Sequence, residues 1–300
     1  MKRFFVFILA AFLILPFVSN KKAYAGAWTV PRYKVWAEYY NKWAWAEQGF
    51  TAKRDLEEKP QDGLNWDYVA EPKFEYGFTD WLTGMFSFEY KVVNYKEYDR
   101  PPSWGSYFQK NKGVSSVKFG GKVRFIEKPM VISNQLKVSV YPGYANDNGD
   151  DASFSNQPLL GRGEDWLEYR VLFSKRLDIP MTYFHDGWKL PIYMNVETGY
   201  RWKNSYMCND IPFLLEGGFW LNKWFLVKGE IDGYLNHDGT GSHEEDYAIW
   251  RVGLVLQTLG GEGITRKGTL FNVEIQYGET FWGRNTTAFK EIVMKADVQF

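Results

Sequence analysis

The stretch Trp66-Asp67-Tyr68-Val69-Ala70-Glu71-Pro72-Lys73-Phe74-Glu75-Tyr76-Gly77-Phe78 decides the fold. Its even positions are Trp, Tyr, Ala, Pro, Phe, Tyr and Phe; its odd positions are mostly charged. A period of two puts apolar side chains on one face and charges on the other, which is a strand and not a helix. Thr79-Asp80 then marks a tight turn. Beyond it Leu82, Gly84, Phe86, Phe88, Tyr90 and Val92 alternate with Thr83, Ser87, Glu89 and Lys91.

The same rhythm runs through the chain. Val117, Phe119 and Val123 oppose Lys118, Lys122 and Arg124, and Leu136 and Val138 oppose Gln135 and Lys137. Tyr169 and Val171 oppose Glu168 and Arg170; Met194, Val196 and Trp202 oppose Asn195, Glu197 and Arg201. Phe213 and Leu215 oppose Glu216, and Val227 and Ile231 oppose Lys228 and Glu230. Val252 and Leu254 oppose Arg251, Ile275 and Tyr277 oppose Glu274, and the chain closes on Ile292, Met294, Ala296, Val298 and Phe300 opposite Glu291, Lys295 and Asp297. With a less regular first strand over 33–45, the count reaches about twelve, an even number suited to a closed barrel with both ends on one side. The expected fold is therefore all-β: a transmembrane antiparallel up-and-down β-barrel with short periplasmic turns and longer external loops.

The termini and composition agree with this. Residues 1–25 read as a cleaved signal peptide, with Lys2 and Arg3, an apolar run from Phe4 to Val18 and the small-x-small site Ala23-Tyr24-Ala25. That leaves 26–300 as the barrel. Removing the leader takes four of 36 basic side chains and none of the 36 acidic ones, so the remainder is slightly acidic. Nucleic acid is a poor partner for such a chain. The single cysteine, Cys208, can form no internal disulfide. Past the leader no apolar run is long enough for a membrane helix, yet 14 Trp, 20 Tyr and 23 Phe are far more aromatics than a soluble chain carries. A membrane barrel has this composition because only alternate residues meet lipid.

Connections alternate in character. Those expected outside are Gln48–Leu64, Lys96–Gly113, Ala145–Gly163, Lys203–Ile211, Asn236–Glu245 and Glu279–Thr287, most of them long and polar. Those expected inside include the tight links Thr79-Asp80 and Asn222-Lys223, with Lys175–Lys189 longer than the pattern asks. A soluble β-sandwich would also alternate. However, the apolar faces of these strands carry no charge, and their aromatics gather near strand ends, as interfacial girdles require. Open edges in hydrocarbon would strand backbone donors and acceptors, so the sheet must close. Pro72 and Pro142 each delete a donor, and bulges or frayed pairing are expected there.

The inward positions collect a balanced set of charges, from which candidate lumen-lining and selectivity residues are Glu71, Lys73, Glu75, Glu89, Lys118, Lys122, Arg124, Arg170, Arg201, Lys228, Glu230, Arg251 and Glu274. Such groups suit a wet lumen, or a network of ion pairs that fills it. The two readings stay open. Balance argues against strong preference for anions or cations. Three histidines, His185, His237 and His243, fall in connections with no luminal Ser or Asp beside them, so no catalytic triad, cofactor or metal centre is expected. The acidic stretches 147–151 and 236–246 lack the full spacing of a calcium loop.

Glu75-Tyr76-Gly77-Phe78-Thr79-Asp80-Trp81-Leu82 resembles the Tyr-Gly-Leu-Thr-Asp-x-Leu hairpin of small outer-membrane transporter barrels of the phenol meta-pathway-associated type, and Tyr277–Asn285 has a similar flavour. The resemblance implies passive uptake of small solutes; it carries over no site residues. The terminal Phe300 resembles the aromatic signal by which the barrel-assembly machinery recognises its clients, after delivery by periplasmic chaperones. Expected surroundings are outer-membrane lipid and lipopolysaccharide in a Gram-negative cell. The alternatives are a surface structural or adhesive barrel with a closed lumen and, third, an outer-membrane lipid hydrolase.

Overall fold

The computed structural model describes residues 26–59, 63–97, 107–142, 164–180, 189–204, 208–222, 224–237, 244–257 and 270–300. Thirteen strands appear: β1 Val35–Phe50, β2 Leu56–Glu58, β3 Leu64–Gly77, β4 Leu82–Glu97, β5 Tyr107–Ile126, β6 Val131–Val140, β7 Trp166–Pro180, β8 Lys189–Lys203, β9 Asn209–Trp220, β10 Phe225–His237, β11 Asp246–Gln257, β12 Leu270–Arg284 and β13 Thr286–Gln299. β1 pairs antiparallel with β3, each strand from β3 to β13 pairs antiparallel with the next, and β13 pairs back onto β1, so these twelve form a closed ring. The thirteenth, β2, is a three-residue flap on the end of β1. Closure runs to the last residue. The Phe300 amide donates to Val35 O and the Val35 amide to Phe300 O, both at 3.0 Å.

The period-two reading holds strand by strand. Its outward set includes Trp66, Phe74, Phe86, Phe119, Leu136, Val252 and Ile275, all exposed. Its inward set includes Glu168, Ser133, Asn195 and Glu291, all buried. The inversion of the usual globular rule, apolar outside and charged inside, is what a bilayer solvent selects. Aromatic pairs lie on the outer wall, among them Trp43 with Tyr68, Tyr200 with Trp202, and Trp250 with Tyr277, with ring centroids 5.6, 4.9 and 5.9 Å apart. Because Val252 sits in the middle of β11 on this face, Val252→Arg should destabilise the barrel by about 2–4 kcal/mol. Urea unfolding in vesicles would show it; an unshifted midpoint would contradict the lipid-facing assignment.

Several boundaries differ from expectation, always toward longer strands. Glu279–Thr287 is no loop: β12 and β13 run on to a turn at Asn285, whose φ of 49° suits Asn. Likewise β1 extends through Gln48 to Phe50, past a register shift, and β5 begins at Tyr107. Hydrogen bonding between paired strands continues past the point where alternation fades, since a wall standing clear of the membrane has no need of an apolar face. Lys175–Lys189 is also partly strand, with β7 reaching Pro180 and β8 starting at Lys189. The connection Ala145–Gly163 lies outside the described residues, as do His185 and His243. Pro72 behaves as foreseen: β3 pairs continuously with β1 there, but its register with β4 skips Glu71 and Pro72. Pro142 sits beyond the end of β6 and disturbs nothing in it. Pro212 repeats the Pro72 pattern, paired with β10 and skipped by β8.

One segment leaves the wall. Residues 26–32 turn inward from the foot of β1 and cross the inside of the ring near the short-turn rim. We call this segment the strap.

Candidate functional site

The candidate site is the lumen, a cavity of about 1240 Å³ bounded by inward side chains of the ring and by the strap. Strand parity alone aims the charges inward. Register then decides which of them meet. On β1, β3, β4 and β5, Lys73 Nζ donates to Glu38 at 2.9 Å, and Lys118 Nζ lies 3.0 Å from Glu71 and 3.1 Å from Glu89. Ser87 donates to Glu71 at 2.8 Å and Ser115 donates to Glu89 at 2.5 Å, so both carboxylates are well supplied with donors.

A second cluster spans β9 to β13. Lys228 pairs with Glu216, Glu274 and Glu230 at 2.6, 3.1 and 3.3 Å. Arg251 pairs with Glu230 at 2.7 Å and with Glu291. Tyr40 joins the two clusters, its ring 4.7 Å from the Lys73 ammonium and 6.0 Å from that of Lys295. A third cluster stands on β7 to β9. Glu168, 1% exposed, accepts from Arg170 Nε and Arg201 Nη2 at 2.7 Å each. Arg170 also reaches Glu197, and Arg201 reaches Asp210, at 3.1 and 3.3 Å. Buried charges are tolerable only when compensated in this way.

Twelve of the thirteen candidate residues lie on the wall of this cavity. Arg124 does not. It sits at the short-turn end of β5 against Glu127, 3.6 Å away, with its backbone still paired to Ser133 of β6. Lys122 has a second task that parity could not reveal. Its Nζ donates to Gly26 O at 3.2 Å and Trp28 O at 3.1 Å while pairing with Glu75 at 3.4 Å.

The strap is the main feature that pattern reading missed. From β1 inward, Arg32 N donates to Asp80 Oδ1 and Thr29 Oγ1 to Asp80 O, at 3.2 and 2.7 Å. Val30 N then donates to Thr83 Oγ1 at 2.9 Å. Ser133 donates to Ala27 O, and Ala27 N donates to Ser174 Oγ at 2.8 Å. Gly26, at φ +65°, lies against Asn195 on β8. The strap thus crosses β4, β5, β6 and β7 to reach β8. Ala27 packs on Val131 and Leu172 with Trp28 over them, a small apolar core within a charged lumen. Gly77 makes room for the crossing, since a Cβ there would overlap the carbonyl oxygens of Val30 and Pro31. Small luminal residues opposite an apolar leader stub (Thr83, Ser133, Ser174) were the available signal.

His237 meets Tyr200 across 3.3 Å on the outer face at the long-loop rim, away from the lumen. Among the described residues no group of His, Cys, Asp and Glu could hold a metal.

A closed ring with an apolar exterior, a charged interior and its seam at the chain end defines the class: an integral β-barrel of the outer-membrane type. No family model and no curated protein matches the chain. Among solved structures, the COG4313 outer membrane channel from Pseudomonas putida F1 superimposes with a TM-score of 0.65 at 13% identity, covering 94% of this chain and 100% of that one. The transport unit of the autotransporter AIDA-I from Escherichia coli overlaps more loosely, with a TM-score of 0.44 at 8% identity, covering 98% and 95%. At these identities the likeness is one of fold.

Proposed function

We propose that this barrel is an outer-membrane channel through which small solutes pass, guided by the charged lumen and throttled by the strap. The observation that carries the reading is the cavity itself: a space lined by ion pairs inside a closed ring with an apolar outer face. The fold neighbour described as an outer membrane channel supports it. The selectivity-bearing residues are those on the cavity wall, with Glu71, Lys118, Arg170 and Arg251 at the cluster centres. The chain reaches its place by export with a cleaved leader. Periplasmic chaperones deliver it, and the assembly machinery reads the terminal strand ending in Phe300. Its outer face then meets lipid and lipopolysaccharide.

Protein refolded without residues 1–25 should give discrete conductance steps in planar bilayers. A folded barrel that stays silent both intact and without the strap would overturn the channel reading.

The strap favours a second reading, a structural surface barrel whose lumen is shut. Apolar Trp28 and the Ala27 core are unusual furniture for a water path. Loop deletions that abolish surface adhesion in a barrel that never conducts would support that alternative.

A further inference from the structure

We propose that Lys137 is an anion-recognition point in the lumen, and that the solutes it favours are small organic anions with a flat apolar body. This rests on the channel reading above. Most luminal cations are neutralised where they stand: Lys118 by two carboxylates, Lys228 by three, Arg170 by two. Lys137 is not.

Its position explains why. On the β7 side its register partner is Glu168. Both Glu168 oxygens are already held, Oε1 by Arg170 and Oε2 by Arg201. On the β5 side its partner is Gly120, which offers no side chain. Among the described residues no carboxylate lies within salt-bridge distance of Lys137, although it lines the cavity.

A paired charge presents a weak field to a passing solute, because its partner cancels most of it at a few ångströms. An unpaired ammonium in a partly desolvated wall keeps its field and its three donors. A carboxylate with no cation in salt-bridge distance among the described residues is Asp297 on β13, with four strands between on one side and six on the other. Its Oδ1 accepts from Trp36 Nε1 at 3.2 Å and Asn272 Nδ2 at 2.9 Å, so neutral donors satisfy it in place. Lys137 has no such substitute. The body of the solute is read from rings on the cavity wall: Trp166, opposite Ser139 in register and one inward position from Glu168, stands beside the charge, and Trp28, Trp36 and Trp220 offer apolar faces elsewhere in the cavity.

The test uses the refolded full barrel, with folding checked by heat-modifiable migration. In a tenfold potassium chloride gradient the reversal potential should show a preference for chloride. Lys137→Gln should lower the chloride-to-potassium permeability ratio several-fold, Lys137→Arg should keep it, and Asp297→Asn should raise it. In a conducting barrel, an unchanged ratio in Lys137→Gln overturns the proposal. If the barrel proves silent with and without the strap, the channel reading falls, and calorimetric titration with benzoate decides Lys137 separately. Its loss should then weaken binding roughly tenfold, the scale of one charge-assisted contact. Equal affinity in both proteins, or no binding to either, would overturn the proposal.

Discussion

Deleting 26–32 is expected to raise single-channel conductance several-fold, the largest functional change any small edit of this chain should produce. The strap crosses the lumen beneath four strands and sets Trp28 and the Ala27 core inside it. Its removal leaves the barrel wall untouched, because none of its bonds belongs to the strand ladder. The seam between β1 and β13 starts at Val35, beyond the deletion. A weaker edit should give a weaker version of the same phenotype. Lys122→Met removes the ammonium that holds the Gly26 and Trp28 carbonyls, and open-state occupancy should increase. Gly77→Val should act alike by crowding the Val30 and Pro31 carbonyls. If the deletion barrel folds and conducts no better than the parent, the strap does not throttle the lumen.

The second large effect concerns stability. Glu168→Ala should cost about 3–5 kcal/mol, the usual range for stripping one partner from a buried charge cluster. The residue is 1% exposed and bridges two guanidiniums, with Lys137 opposite it in register. Without the carboxylate three cations face one another across adjacent strands, with Glu197 and Asp210 serving only the two arginines. Urea-induced unfolding followed by tryptophan emission reads the loss. Adding Arg201→Met to Glu168→Ala should recover part of it, since the excess charge goes with the arginine. Additive losses in the double variant would mean that Glu168 acts through something other than that pair.

Much of this architecture is legible in the sequence, for a physical reason. Lipid on one side and water on the other impose opposite demands on alternate residues, so Trp66 to Phe78 declares its faces without any tertiary information. The same logic placed twelve candidate residues on the cavity wall. Arg124 escaped it because parity says nothing about how far along a strand the cavity extends. Register was illegible as well. That Glu168 faces Lys137 yet serves two arginines depends on side-chain reach across neighbouring strands, which no pattern along one strand encodes. The strap was hidden most completely. Ala27-Trp28-Thr29-Val30 is short and apolar and precedes Pro31, so it reads as the frayed start of a strand. Its partners are hydroxyls scattered over Thr83, Ser133 and Ser174, each of which passes as an ordinary inward polar residue.

The way the strap is fastened has a mechanical consequence. A strand pulled along its length from a sheet loads all its ladder bonds together and resists as a block. The strap lies across the strands, with its fastenings spaced out from Asp80 and Thr83 through Lys122 to Ser133 and Ser174. Force applied at the Arg32 end would therefore load one fastening at a time, as in peeling tape. Detachment of this kind needs little peak force and leaves hydroxyls that water can satisfy at once.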